Sequence, residues 1–447
     1  MNPTEQIETL EKHALKLMRS HDVPGLSIGL LIDGVEHYLS LGVTSIIHPL
    51  AVTPETIFQL ASISKTFTAT MAMKLIEEGQ LELDAPIRDY LPEFQVQDHT
   101  ASATATIRHL LTHTGGWFGD FFLDTGDDTN ALERYVTAMA DLPQLVPVGS
   151  FVSYSNAGFS LLGRVLEVVS GQPFDLLMQS RLLEPMGLRD STYWAHEAIT
   201  KRVALGHRQS EEQTEVIANY RLTRARHPRG GLLSSAKDLM RYAQFQLGLH
   251  GDDLISSAIR RQMQTKHIRS DFNESLGLAW SLTESNGLQI VFHEGNLDGF
   301  HSELGFVPDQ NFAYACLTNS DSGAAVKTEV VALIRALFLD FKREVPTAIP
   351  TDASVLEQYV GRYRPHSTDA NDFVEIRAEA DELHMIVNLP SLDMVLPTTR
   401  LQVCADDVLV VLGGAMKGGV LDCLRQSGRV KYIRSGGRVM FSRVKEA

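Results

Sequence analysis

Phe58-Gln59-Leu60-Ala61-Ser62-Ile63-Ser64-Lys65-Thr66-Phe67-Thr68-Ala69 is the stretch whose reading decides the fold. Behind it an apolar segment runs through Met71, Met73, Leu75 and Ile76 and stops at Gly79. Ala, Met, Lys, Leu and Glu favour helix, the apolar positions recur at helical spacing, and the glycine ends the run. The spacing predicts one mostly buried helix over about residues 62–78. On it Ser62 and Lys65, three residues apart, share a face. In an apolar setting desolvation disfavours the ammonium, and a neutral amine can take the serine's proton. Ser-x-x-Lys alone is a cheap pattern, repeated at Ser234/Lys237 and Ser442/Lys445. At the first of these, Ser234 or Ser235 reads as the N-cap of a helix from Ala236 to about Leu247, with Lys237 in its first turn. The other reads as a solvated tail.

Working outward, the 447 residues suffice for two or three domains with a large core. Hydrophobic content of 44% and charged content of 21% are those of a globular protein. A net charge of −15 argues against nucleic-acid binding. Cys316, Cys404 and Cys423 lie far apart with no Cys-x-x-Cys, so each reads as a small buried hydrophobe in a reduced compartment. The N-terminus has neither a basic nor an apolar leader region, and no apolar run is long enough to span a bilayer. A cytoplasmic location without membrane association is the expectation.

Asp33-Gly34 between two β-rich runs signals a hairpin. His109 and His113, four apart, imitate a metal pair, but no third ligand is evident and no metal is expected. The loop after them interleaves Trp117, Phe118, Phe121 and Phe122 with Asp120, Asp124, Asp127 and Asp128, and reads as a cleft wall or a surface insertion. Tyr154 and Asn156 fall in a turn just before a long helical run, Gly158 to Ser170, and a further helix is expected over Leu176 to Leu183. Arg221, Arg224, Arg226 and Arg229 form a basic cluster. Strand-like runs around His293, Glu303 and Phe312 suggest an antiparallel meander, closed by a helix from about Ala325 to Lys342. Glu344 to Thr351, with two prolines, reads as a linker. Beyond it about eight short alternating strands suggest a small antiparallel barrel. The resulting division is 1–343, 344–351 and 352–447.

Three elements now line up: Ser62-x-x-Lys65, Tyr154-x-Asn156 and His293-x-Gly295. Their order and separation resemble the serine β-lactamase and penicillin-binding protein superfamily, in particular its class C-related branch of carboxypeptidases, D-aminopeptidases and esterases. Ile107 to Gly116 and Gly230-Gly231-Leu232-Leu233-Ser234-Ser235 support the resemblance, which covers about Pro24 to Phe341. Tyr359-Val360-Gly361-Arg362-Tyr363 is similar to the opening of the lipocalin-like barrel that some members carry. The resemblance implies an α+β fold: an α/β sandwich with an antiparallel sheet and an all-helical insert, followed by the barrel. It also implies that the barrel covers the cleft mouth or mediates homo-oligomers.

The resemblance further implies a serine hydrolase without metal or organic cofactor, acting through an acyl-enzyme on a small peptide, amide or ester. Ser62 is then the nucleophile, with Lys65 and Tyr154 sharing proton transfer. Which of the two is the base stays open, since a tyrosine near 10 serves only if cationic neighbours favour its phenolate. Asn156 orients Lys65 and binds the substrate amide. His293 is expected to bond Tyr154 or polarise the site, and Gly295 to let substrate approach the strand edge. The backbone N–H groups of Ser62 and Asn296 form the oxyanion hole. Two departures from the family pattern bear on substrate. Glu294 stands where a small neutral residue is usual, and with Trp117 and the acidic loop it points to an amine-bearing substrate, as in a D-aminopeptidase. The arginine cluster argues for a carboxylate instead. No acid in a class A-like Ω-loop setting is evident, so penicillins are expected to turn over poorly. An esterase or transesterase on the same serine, and a silent receptor, are the alternatives.

Overall fold

The computed structural model describes residues 2–444 apart from 211–212, 219, 221, 343, 367–368, 370 and 380. Asp33 and Gly34 both take positive φ (50° and 80°), the backbone that lets a two-residue turn follow the twist of its strands. The hairpin they close pairs Gly25–Ile32 with Val35–Gly42. These two strands begin an eight-stranded antiparallel sheet, continuing through Phe312–Thr318, Phe300–Val307, Leu288–Leu297, Ser281–Ser285, Glu274–Leu276 and Ile268–Arg269.

Strand alternation sorts the side chains of this sheet onto two cores. Leu26, Ile28, Leu30, Tyr314 and Cys316 pack under the helices Pro3–Ser20 and Gly323–Leu339. Ala313, Ala315 and Leu317 face the other way, onto the helices Ser64–Glu77 and Ala236–Gln246. Between those last two helices the chain forms a predominantly helical insert, whose longest helix is Asn156–Ser170. Among the described residues no helix is long and apolar enough to cross a membrane.

The strands from Gly361–Pro365 to Arg438–Arg443 close an eight-stranded antiparallel barrel around its own core, including Tyr363, Val374, Leu409 and Ile433. The segment read as a linker is zipped onto this barrel: Ile349 N–H donates to Val403 O (3.2 Å), and Ala405 N–H to Thr347 O (3.0 Å). All three cysteines are free and buried.

Two helices differ from their sequence expectation. The helix expected from Ser62 begins as a 3-10 turn, Ala61–Ile63, and becomes α-helical over Ser64–Glu77. The strand Ile57–Gln59 precedes it by one residue, and so abrupt a reversal is made by Ala61 at φ 48°, a costly conformation for a residue with a Cβ. The helix expected over Leu176–Leu183 starts at Phe174 and widens into a π-turn at Gln179–Leu183. Pro185 follows without an N–H, so the regular hydrogen-bond ladder cannot continue there. The Ser234/Lys237 pair is accounted for locally: Ser235 caps its helix through Asp238 N–H, and Lys237 pairs with exposed Glu55 (2.8 Å). Lys445, Arg221 and the ends of their motifs lie outside the described residues.

Candidate active site

The site is built where the 3-10 turn, the insert and one sheet strand meet. Ser64 braces the turn: its hydroxyl donates to Ala61 O (2.6 Å) and accepts from Leu232 N–H (2.9 Å). One turn on, Lys65 is fully buried. Its Nζ lies 3.0 Å from Ser62 Oγ, 2.8 Å from Asn156 Oδ1 and 2.6 Å from the Arg229 carbonyl oxygen. Burial, followed by the charges of Arg229, Arg438 and Arg226, holds the ammonium well below its ordinary value. A neutral amine has two N–H donors and one lone pair. Carbonyl oxygens can only accept, so Asn156 and Arg229 take both N–H groups. In the deprotonated form the lone pair is left for the Ser62 hydroxyl.

Asn156 is itself held in one orientation. Its Nδ2 donates to Asp120 Oδ1 (2.8 Å), and because a carboxylate only accepts, the amide must turn its oxygen to Lys65. Ser155 caps the Asn156–Ser170 helix through Gly158 N–H (3.0 Å), which fixes the turn carrying Tyr154 and Asn156. The second oxygen of Asp120 binds Arg438 Nε (2.8 Å), a residue of the barrel.

That arginine arrives on a hairpin whose tip is Gly436-Gly437, both at positive φ (55° and 72°), the narrowest reversal available to two strands. The tip docks on the insert: Tyr154 N–H donates to Gly437 O (2.9 Å), and Val439 N–H to Ser153 Oγ (3.2 Å). Tyr432 and Val439 bury apolar surface against Val146 beside it. Arg438 Cζ then lies 4.7 Å from the centroid of the Tyr154 ring, and Lys65 Nζ lies 4.9 Å from it.

Tyr154 is also packed by His113 at 4.4 Å between ring centroids. Burial pushes the phenol up to about 12, although Ser62 and Arg438 pull it down. His113 Nδ1 accepts from Ser155 N–H (3.0 Å), while His109 Nδ1 accepts from Thr106 N–H (3.0 Å). The two histidines therefore serve different elements. Among the described residues no cluster of three His, Cys, Asp or Glu could hold a metal ion.

On the strand Leu288–Leu297, His293 and Gly295 face the turn bearing Ser62, and Glu294 also borders the cleft. His293 Nδ1 donates to the Glu294 carbonyl (2.6 Å), leaving Nε2 an acceptor; burial pushes the imidazole down to about 4, so it is neutral. Its ring stays 6.4 Å from that of Tyr154, centroid to centroid, and the two share no hydrogen bond. Glu294 pairs with Lys327 of the Gly323–Leu339 helix (3.0 Å), so its charge is matched from the far side of the sheet. The need for glycine at 295 comes from the protein itself: a Cβ there would collide with Leu60 O and Ser302 Oγ, the backing of the nucleophile's turn.

Ser62, Tyr154, Asn156, His293 and Asn296 border one cleft of about 610 Å³, which Arg226, Arg229 and Arg438 also line. Trp117 does not: it is 1% exposed and packs on Phe94 in the core. Phe122, from the same loop and 68% exposed, takes the position on the cleft wall. Sequence reasoning missed Asp120, His113, Arg229 and Arg438 as parts of the site. Asp120 lay inside a loop already marked as acidic; nothing around Arg438 distinguishes it from other barrel arginines.

Fold and site together are of the serine β-lactamase and penicillin-binding type. The chain belongs to the Beta-lactamase family, whose profile matches residues 10–337. It is 34% identical over 325 residues to Penicillin-binding protein 4 of Amycolatopsis lactamdurans, covering 70% of this chain and 85% of that one. Among solved structures it resembles SurE (TM-score 0.79, 25% identity, 99% and 100% of the two chains), also determined with D-Leu (TM-score 0.76). An octameric penicillin-binding protein homologue from Pyrococcus abyssi shares the fold (TM-score 0.66, 22% identity, 98% of both chains).

Proposed function

We propose that this protein is a serine amidohydrolase of the penicillin-binding type, cleaving peptides at D-residues through an acyl-enzyme on Ser62. The observation that carries the reading is the setting of Lys65: it is fully buried with its ammonium disfavoured, and Nζ lies 3.0 Å from Ser62 Oγ. In its deprotonated form, with both N–H groups on Asn156 and Arg229, its lone pair meets the Ser62 hydroxyl. Lys65 takes the hydroxyl proton as Oγ attacks the carbonyl carbon, and the oxyanion is held by the N–H groups of Ser62 and Asn296. Tyr154, still protonated at neutral pH, gives its proton to the leaving amine nitrogen as the C–N bond breaks. The Lys65 ammonium then restores the phenol, a downhill transfer given the opposite directions of their shifts. This assigns Lys65 as base and Tyr154 as acid. Water replaces the amine in the second half-reaction, with the roles reversed.

D-residue selectivity is read from D-Leu in a structure that this chain resembles. Glu294 borders the cleft but pairs with Lys327, which also lies near Glu303, so any selection of an amine by its carboxylate works against that ion pair. The test is intact-mass spectrometry and turnover with D- and L-aminoacyl p-nitroanilides, p-nitrophenyl esters and penicillin, with Ser62→Ala beside wild type. Turnover of D-residue amides that Ser62→Ala abolishes is expected, with a slow penicillin adduct. Ester turnover alone would overturn the amidase reading, and neither turnover nor adduct would overturn the enzyme.

A further inference from the structure

Beyond the catalytic cleft lies a second chamber of about 430 Å³, which shares Arg226, Leu297 and Asp298 with it. Val216, Leu222 and Phe300 give it apolar wall, while Gln59, Arg208, Tyr220 and the exposed Glu215 make the rest of its lining polar. Its position relative to the chemistry follows from the proposed acid. Tyr154, the acid that meets the leaving group, and Arg438 border the cleft but not the chamber. The chamber joins the cleft at Leu297 and Asp298, next in sequence to Asn296 of the oxyanion pair, which suits it to the part of the substrate that stays on Ser62.

The charges around the chamber are unequally matched. Arg224 pairs with Asp175 (2.6 Å), and Arg438 with Asp120 (2.8 Å). Arg229 lies under the Tyr135 ring, 5.0 Å from its centroid, and donates to Ser160 Oγ (2.9 Å). Arg226 is different: it is half-buried beside Gly230 and makes neither an ion pair nor a side-chain hydrogen bond among the described residues. The acid nearest in influence, Asp298, is highly exposed and already lies 3.7 Å from Arg208. Burial, with Arg229 beside it, pushes the Arg226 guanidinium down to about 10, so it is still charged at neutral pH. Independently, the Tyr220 hydroxyl on the wall of the same chamber is buried with no partner at full hydrogen-bond distance, and only Gln59 of the same wall influences it. A half-buried cation without a counter-ion and a buried phenol so weakly engaged, both at one chamber, are costly unless an acceptor arrives.

We propose that Arg226 and Tyr220 form an acyl-side subsite for a carboxylate, so that the preferred acyl donor carries a negative charge on its retained portion. A carboxylate accepts two parallel bonds from a guanidinium and has lone pairs left for a phenolic O–H. The apolar walls accommodate the methylene or side-chain body that carries it. This selects an acidic peptidyl or dicarboxylic acyl group. The proposal rests on acylation of Ser62 as described above.

The test compares mono-p-nitrophenyl adipate with its neutral methyl ester, in wild type, Arg226→Gln and Arg226→Lys. Wild type is expected to favour the charged ester in kcat/KM by about 10- to 100-fold, the range of a hydrogen-bonded charge pair. Arg226→Gln should abolish that preference. Because it also removes a positive charge acting on Lys65, the readout is the charged-to-neutral ratio on the pH plateau and not the absolute rate. Arg226→Lys, which keeps the charge, should keep part of the preference. Calorimetric binding of both esters to Ser62→Ala, with and without Arg226→Gln, reads the same preference without turnover. An equal charged-to-neutral ratio with and without Arg226 overturns the subsite while leaving the hydrolase intact. A binding preference lost in Arg226→Gln, with neither ester turned over by wild type, sustains the subsite and overturns the hydrolase.

Discussion

Replacing Asp120 by Asn probes the chain of contacts that runs from the barrel to the nucleophile. Asp120 accepts from Asn156 Nδ2 on one oxygen and from Arg438 Nε on the other, each at 2.8 Å. An amide has one oxygen, so in Asp120→Asn one of these donors must meet an NH2 group instead. A hydrogen bond to a charged group is worth about 1.5–3 kcal/mol. If the Asn156 orientation is fully used in the transition state, kcat/KM falls roughly 10- to 150-fold. The same substitution removes a negative charge that favours the Lys65 ammonium, so the acid limb of kcat/KM should move to lower pH. Arg438→Gln removes a positive charge that disfavours it, and its limb should move to higher pH. The assay is kcat/KM against pH for wild type and both variants on one amide substrate, with melting curves as a control on folding. Limbs that move in the same direction, or a rate loss in neither variant, would refute the argued linkage.

Gly295→Ala should destabilise the protein by about 1–3 kcal/mol, the usual range for overpacking, and slow fluorophosphonate labelling of Ser62, because the new Cβ pushes against Leu60 O. Retained melting temperature and labelling rate would contradict the close approach. For Lys65 the folded value lies below the unfolded one of about 10.4, so the unfolded chain holds a proton that the folded chain lacks between the two. Stability therefore rises with pH across that window, and urea unfolding should show wild type gaining on Lys65→Met from pH 7 to 9.5. A shrinking difference would mean that the buried lysine is charged.

The parts of this protein that could be read from its residues are those that depend on near neighbours. Ser62 and Lys65 meet because a helix places i and i+3 on one face, and the pairing survives the replacement of the expected helical start by a 3-10 turn. The barrel strands follow from period-two alternation and intervening turns, and the Tyr154 turn from the cap that begins the next helix. Within one loop, however, Trp117 and Phe122 offer the same apolar character, and only packing on Phe94 decides that the first is core and the second is cleft wall. Likewise strand alternation separates the side chains of His293 and Glu294, but only tertiary packing buries the first beside Tyr154 and pairs the second, at the cleft border, with Lys327.

The residues themselves therefore determined the Ser62–Lys65 pair, the Tyr-x-Asn turn and the barrel, since each is encoded by local spacing or periodicity. The choice of that pair over its two repeats and the sheet-and-helix class came from the order of the three motifs and the family they resemble. Tertiary structure alone decided that the Lys65 ammonium is disfavoured, because its state depends on complete burial and on arginines drawn from two distant segments, Arg226 and Arg229 in one and Arg438 in the other. It also decided that the barrel completes the site, because Asp120 and Arg438 are 318 residues apart and meet only when the glycine-tipped hairpin docks against the insert. A contact of that kind leaves no periodic trace, since the docking of two separately folded surfaces sets it, not the spacing along either chain segment.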